Sequence, residues 1–122
     1  MRAVEILQAW DRRRASAYAS EDPQRLRVLY GRGSWAGARD VRTLQAYAAR
    51  GLVVEDVTVQ VRRVRLLTAS PRMLRVQVVD RVSATVAGPD GPAVVLPSRW
   101  QERIVTMVRD ADGWQVRAVR RR

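Results

Sequence analysis

The sequence predicts an α+β fold in which N-terminal helices pack on a curled, mainly antiparallel sheet. Three observations carry this. Apolar residues recur at three- and four-residue spacing through Ala48, then at every second residue after Leu52. Turn formers punctuate the chain at Asp22-Pro23, Gly51, Gly88–Pro92 and Gly113. No helix-period stretch interrupts the strand-rich half, so the crossovers of a doubly wound sheet are missing. The 122 residues suffice for one hydrophobic core and are too few for two, so a single domain over 1–122 is expected.

The first helix is predicted over 2–20. Val4, Leu7, Trp10, Arg14, Ala17 and Tyr18 share one face, and Asp11 falls at its rim. Asp22 caps a second helix over 23–30, with Pro23 in the first turn, where its missing N–H costs nothing. Leu26, Leu29 and Tyr30 form its core side, and Gly31, Gly33 and Ser34 end it. A third helix is predicted over 39–50, capped by Asp40 and stopped by Gly51, with Trp35 and Ala36 in the preceding loop closing the core.

Strands follow. Val57, Val59 and Val61 alternate with polar residues, and the phase then slips to Val64 and Leu66, which predicts a bulge. Ser70-Pro71 is a turn. Leu74, Val76, Val78, Asp80, Val82, Ala84 and Val86 form the longest alternating series, and Gly88–Pro92 is a hairpin connection. Trp100, Glu102, Ile104, Thr106 and Val108 read as the core face of the next strand. Asp110–Gly113 turns the chain into a last strand carrying Trp114, Val116 and Ala118.

Composition excludes several chemistries. There is no Cys, hence no disulfide, thiol nucleophile or Cys-ligated metal, and no His, the usual proton shuttle and commonest metal ligand. No metal site and no cofactor are expected. The formal charge is +11, and every basic residue is Arg. The charge is spread evenly, with only Arg120, Arg121 and Arg122 forming a terminal run, which argues for a compositional bias over a polyanion-binding tail. No apolar run is long enough to span a bilayer. The compartment is left open: the cytoplasm, or the extracytoplasmic part of an anchored bacterial protein.

The segments "AWDRRRASAYASEDPQRLRVLY" and "RWQERIVTMVRDADGWQVRAV", with the helix–loop–helix spacing between them, resemble the nuclear-transport-factor-2-like (NTF2-like, SnoaL-like) superfamily. The sequence is also similar to accessory domains of that superfamily in actinobacteria. The resemblance implies a cone-shaped fold with a pocket between helices and sheet. It spans enzymes, small-ligand binders and assembly scaffolds, and sheet-face dimers are common in it. The absence of His rules out a His–Asp dyad of the dehydratase type.

Candidate site residues follow from the strand phases. Asp80 lies among the core-facing valines, where a carboxylate is costly unless paired. It is a general base or a contact for a cationic ligand, or else it pairs with a core-facing Arg such as Arg14 or is turned to solvent by a bulge. Glu102 follows the same logic, with Asp11 a third acidic candidate. Trp10, Tyr18, Tyr30, Tyr47 and Trp100 complete the expected pocket. The opposite sheet face is expected to carry Arg75, Arg81, Arg103, Met107 and Arg117, as a protein interface, a homodimer contact or a polyanion surface. The aromatics fall in the other phase, so no base-stacking platform is visible and nucleic acid is disfavoured. The leading expectation is a non-catalytic domain binding a partner protein, its own copy or a small apolar ligand. The alternatives are an isomerase-, cyclase- or dehydratase-like enzyme with an Asp base acting on a hydrophobic substrate, and a basic nucleic-acid module.

Overall fold

Helix α1 (Ala3–Ala19) buries Ile6, Leu7, Trp10, Ala17 and Tyr18, the i, i+1, i+4 pattern of a helix with one face on a sheet. The computed structural model describes residues 3–121; Arg2, which opened the predicted helix, and Arg122 of the terminal run lie outside them. Trp10 sets the angle at which the next segment leaves: its Nε1–H donates to the carbonyl of Leu29 at 2.8 Å.

Helix α2 (Pro23–Arg27) is shorter than the sequence suggests. Asp22 caps it, its carboxylate accepting from the backbone N–H of Gln24 and Arg25. The chain leaves the helix after Arg27, because Tyr30 and Gly31 are drawn onto the sheet: Gly31 N–H donates to the Val116 carbonyl at 2.8 Å, and Val116 N–H to that of Leu29 at 3.0 Å.

Helix α3 (Trp35–Ala49) corrects the predicted start. Its cap is Ser34, whose hydroxyl accepts from the N–H of Gly37. Asp40 is therefore not a cap but an interior residue on the buried stripe of Gly37, Asp40, Val41 and Leu44. Gly37 is required there, because a Cβ on it would sit 2.7 Å from Cβ and Cγ of Tyr30. Trp35 does not close the core; it stands 78% exposed in the first turn of α3. Gly51 ends the helix with φ 69°, as expected of a left-handed stop.

The sheet is antiparallel, in the order β1 (Val53–Ser70), β2 (Met73–Gly88), β4 (Gln101–Asp110), β5 (Gly113–Arg121). The short β3 (Gly91–Val95) pairs with the far end of β2, beyond the reach of β4. Sequence reading missed β3, whose Pro92 is tolerated because the strand lies at an edge. Register shifts between Glu55 and Thr58, Val61 and Arg63, and Leu66 and Thr68 bend β1. The second of these is the predicted phase slip. The helices lie against the face bearing Val54, Leu74, Val76, Val78, Val105, Met107 and Val116, in one shared core.

Strand β4 is in the opposite phase to the one predicted. Leu74 pairs with Met107, Val76 with Val105 and Val78 with Arg103, so these β4 residues face the helices. Glu102, Ile104, Thr106 and Val108 face away. Each face of β4 carries two aliphatic side chains, Val105 and Met107 on one and Ile104 and Val108 on the other, so alternation could not choose between them, and the predicted phase kept Arg103 away from the helices. The structure turns it toward the helices, half-buried, because Asp80 supplies a partner.

Candidate functional site between helices and sheet

A partly open cavity of about 620 Å³ lies where α1 and α3 diverge above the sheet. Helix α1 contributes Leu7, Trp10, Asp11 and Arg14; α3 contributes Ala36, Arg39, Asp40 and Thr43. The sheet supplies its floor, including Asp80, Arg103, Val105 and Val116, and the segment before β4 supplies Pro97–Arg99.

At one end sits a buried polar cluster. Arg14 holds Asp40 with both arms of its guanidinium, Nε to Oδ2 at 2.7 Å and Nη2 to Oδ1 at 2.8 Å. The hydroxyl of Tyr18 donates to Oδ1 at 2.5 Å and that of Tyr30 to Oδ2 at 2.6 Å. Burial alone would raise the Asp40 pKa, but the hydrogen bonds and charge of Arg14, with the two hydroxyls, hold it below the usual carboxylate value. Burial, and then the neighbouring carboxylate, push both tyrosines up, so they stay protonated donors. Trp10 and Tyr30 pack edge to face with ring centroids 5.3 Å apart.

A second pair lies across the floor. Asp80 is 2% exposed and is held by Arg103, Nη2 to Oδ2 at 2.6 Å and Nε to Oδ1 at 3.3 Å. Asp80 therefore faces the helices as its phase requires, but it is paired, with β4 and not Arg14 supplying the cation.

Asp11 is the exception. It lines the cavity one turn before Arg14, and among the described residues its carboxylate has no hydrogen bond or ion pair. Desolvation raises its pKa to about 6, against the pull of Arg103 and with a push from Asp80. A carboxyl group poised near neutrality inside a cavity can take up or release a proton under physiological conditions.

The remaining expected site residues separate. Trp10 and Tyr30 line the cavity. Tyr18 stands behind it, turned to Asp40, and Tyr47 packs against the core instead of the cavity. Trp100 lies between two arginines, 4.5 Å from Arg62 and 4.8 Å from Arg81, and does not line the cavity. Glu102 is exposed on the other sheet face, accepting from Gln77. Of the residues assigned to that face, Arg75 and Arg81 are there, paired in register with Thr68 and Gln60 of β1. Arg103 and Met107 are on the helix side, and Met107 is 1% exposed. Arg117 occupies the register shift of β5 and is exposed beside Gly31. The Arg stripe is thus broken, with Arg103 turned into the cavity and Arg81 engaged by Gln60 and Trp100.

Sequence reading missed Asp40 as a member of the site and placed Arg103 outside it. The signal for Asp40 was its three- and four-residue spacing from Gly37 and Leu44, visible once Ser34 is taken as the cap.

No family model matches this sequence, and no curated protein matches it. Solved structures do. The intermembrane-space region of the chloroplast protein ARC6 superposes with a TM-score of 0.66 at 14% identity, over 98% of this chain and 95% of that one. Aln2 from a Streptomyces species gives 0.64 at 14% identity, over 97% and 89%. A putative dehydratase of the NTF2-like family from Streptomyces avermitilis gives 0.56 at 14% identity, over 95% and 92%. The chain has the NTF2-like fold of helices laid over an open antiparallel sheet.

Proposed function

We propose that this NTF2-like chain is a small-molecule-binding domain and that the helix–sheet cavity is its site. One observation carries the reading: a cavity of about 620 Å³ lies between the helices and the sheet, walled by Leu7, Trp10, Val105 and Val116 and by convergent charged side chains. That size suits a ligand of one to three rings. The two bidentate Asp–Arg pairs favour binding over turnover, because they fix the walls and leave neither Asp40 nor Asp80 free as a base. A putative dehydratase shares the fold, and fold alone does not separate binding from turnover. The reading is tested by Ala36→Trp, which plugs the cavity from α3. Small aromatic ligands are expected to perturb the amide signals of Trp10, Asp11 and Arg103 in the wild type and to leave the variant unperturbed at similar Tm. Perturbations confined to other surfaces, or unchanged in the variant, would reject the cavity as the site.

Asp11 favours a second reading, in which the bound molecule undergoes proton transfer. Its carboxylate would act as base, and the N–H groups of Arg14 and Arg103 not engaged by their own carboxylates would stabilise developing negative charge. Asp11→Asn would then lower turnover by about 100-fold or more while preserving affinity. Equal turnover in the variant would remove Asp11 from the chemistry.

A further inference from the structure

Six arginines line the cavity against three aspartates, an excess of positive charge that favours an anion there. Arg14 is spent on Asp40 and Arg103 on Asp80, each pair close to neutral. Arg81 borders the cavity only from the opposite sheet face, so what is left is Arg39 from α3, Arg99 from the segment before β4 and Arg121 from the end of β5, beside the single carboxylate of Asp11. Arg81 is partly occupied by Gln60 and Trp100. Arg39 and Arg99 are exposed and form no ion pair with any described residue. Three segments distant in sequence thus bring cations to the lining of one cavity that also carries Leu7, Trp10, Val105 and Val116.

From this arrangement we infer that the ligand is an organic anion, an apolar ring body bearing a carboxylate, with the ring against Trp10 and Val105 and the carboxylate at Arg39 and Arg99. The inference rests on the cavity reading above and adds the charge of the ligand. A neutral ligand of the same shape leaves these cations without a counter-charge, and a cationic one is repelled by them. A carboxylate satisfies them, because a guanidinium presents paired N–H groups at the spacing of its two oxygens.

The test compares two probes of one shape, 2-naphthoate and its uncharged counterpart 2-naphthamide, titrated into the full chain at neutral pH by calorimetry. Naphthoate is expected to bind about tenfold or more tightly than the amide. Arg39→Gln and Arg99→Gln are each expected to weaken naphthoate by about three- to tenfold and to leave the amide within about twofold. Arg65→Gln, on the far face of β1, controls for bulk charge and is expected to change neither. Equal affinity for the two probes overturns the anionic assignment and leaves the cavity reading standing. Equal weakening by Arg65→Gln and the cavity variants also overturns it, by assigning the preference to net charge. Failure of both probes to bind at millimolar concentration overturns the inference and the cavity reading together.

Discussion

Asp40 and Asp11 lie at the same cavity, the first buried and the second half-buried, and have opposite chemistry. Asp40 accepts four side-chain hydrogen bonds, two from Arg14 and one each from Tyr18 and Tyr30. Asp11 accepts none from described side chains. Desolvation opposes ionisation of both; at Asp40 the partners outweigh it, and at Asp11 they do not. One is a strut and the other a titrating group, and the difference lies in what surrounds the carboxylate.

The largest way to break this comparison is Asp40→Ala. It strands the Arg14 guanidinium and two buried hydroxyls, and is expected to destabilise the fold by about 3–5 kcal/mol in denaturant unfolding. Asp11→Asn is expected to do the opposite. The raised pKa of Asp11 means that the folded state holds its proton more tightly than the unfolded state, whose value is 3.8. Its ionisation thus costs stability as pH rises from 3.8 to about 6, and the full cost persists above that range. The variant is expected to exceed wild type by about 1–3 kcal/mol at alkaline pH, with the gain gone in acid below the unfolded value. Asp40 has the reverse sign: its depressed pKa stabilises above the unfolded value of 3.8, and that contribution is lost as pH falls through the folded value. Melting curves of wild type and Asp11→Asn across this range check both signs.

Smaller changes sharpen the picture from the Tyr30 side. Gly37→Ala drives a methyl group into the Tyr30 ring base and is expected to cost about 1–2 kcal/mol and loosen the hydroxyl from Asp40. Tyr30→Phe removes only that hydrogen bond and is expected to cost about 1 kcal/mol, with the Asp40 pKa moving toward its usual value when followed by carboxyl NMR.

The fold was legible where a local signal and the tertiary structure agree. Asp22-Pro23 caps α2, Gly51 stops α3, and the phase slip after Val61 is a register shift in β1. It was illegible where two local signals compete. Asp40 is as good a cap as Ser34 by residue type, and only the packing of Gly37 under Tyr30 decides for the earlier start. In β4, Ile104 and Val108 compete with Val105 and Met107 for the core, and the decision falls to a charge pair between strands, which no single-strand pattern contains. The candidate site was half legible for the same reason. Asp80, Trp10 and Tyr30 were found by phase, whereas Arg103 and Asp40 reach the cavity through partners far away in sequence.

The stretch Pro97–Arg99 belongs to no strand, is exposed along its length, and still forms one wall of the cavity. It hangs from the Leu96 N–H, which donates to Ala84 at 2.8 Å, and rejoins the sheet at Gln101. Pro97–Arg99 thus line the cavity without belonging to the core, whereas Leu7, Trp10, Val105 and Val116 do both. If the cavity binds a ligand as proposed, exchanging the three side chains of that stretch is expected to change what it admits at little thermodynamic cost, which makes it the place for an engineer to begin.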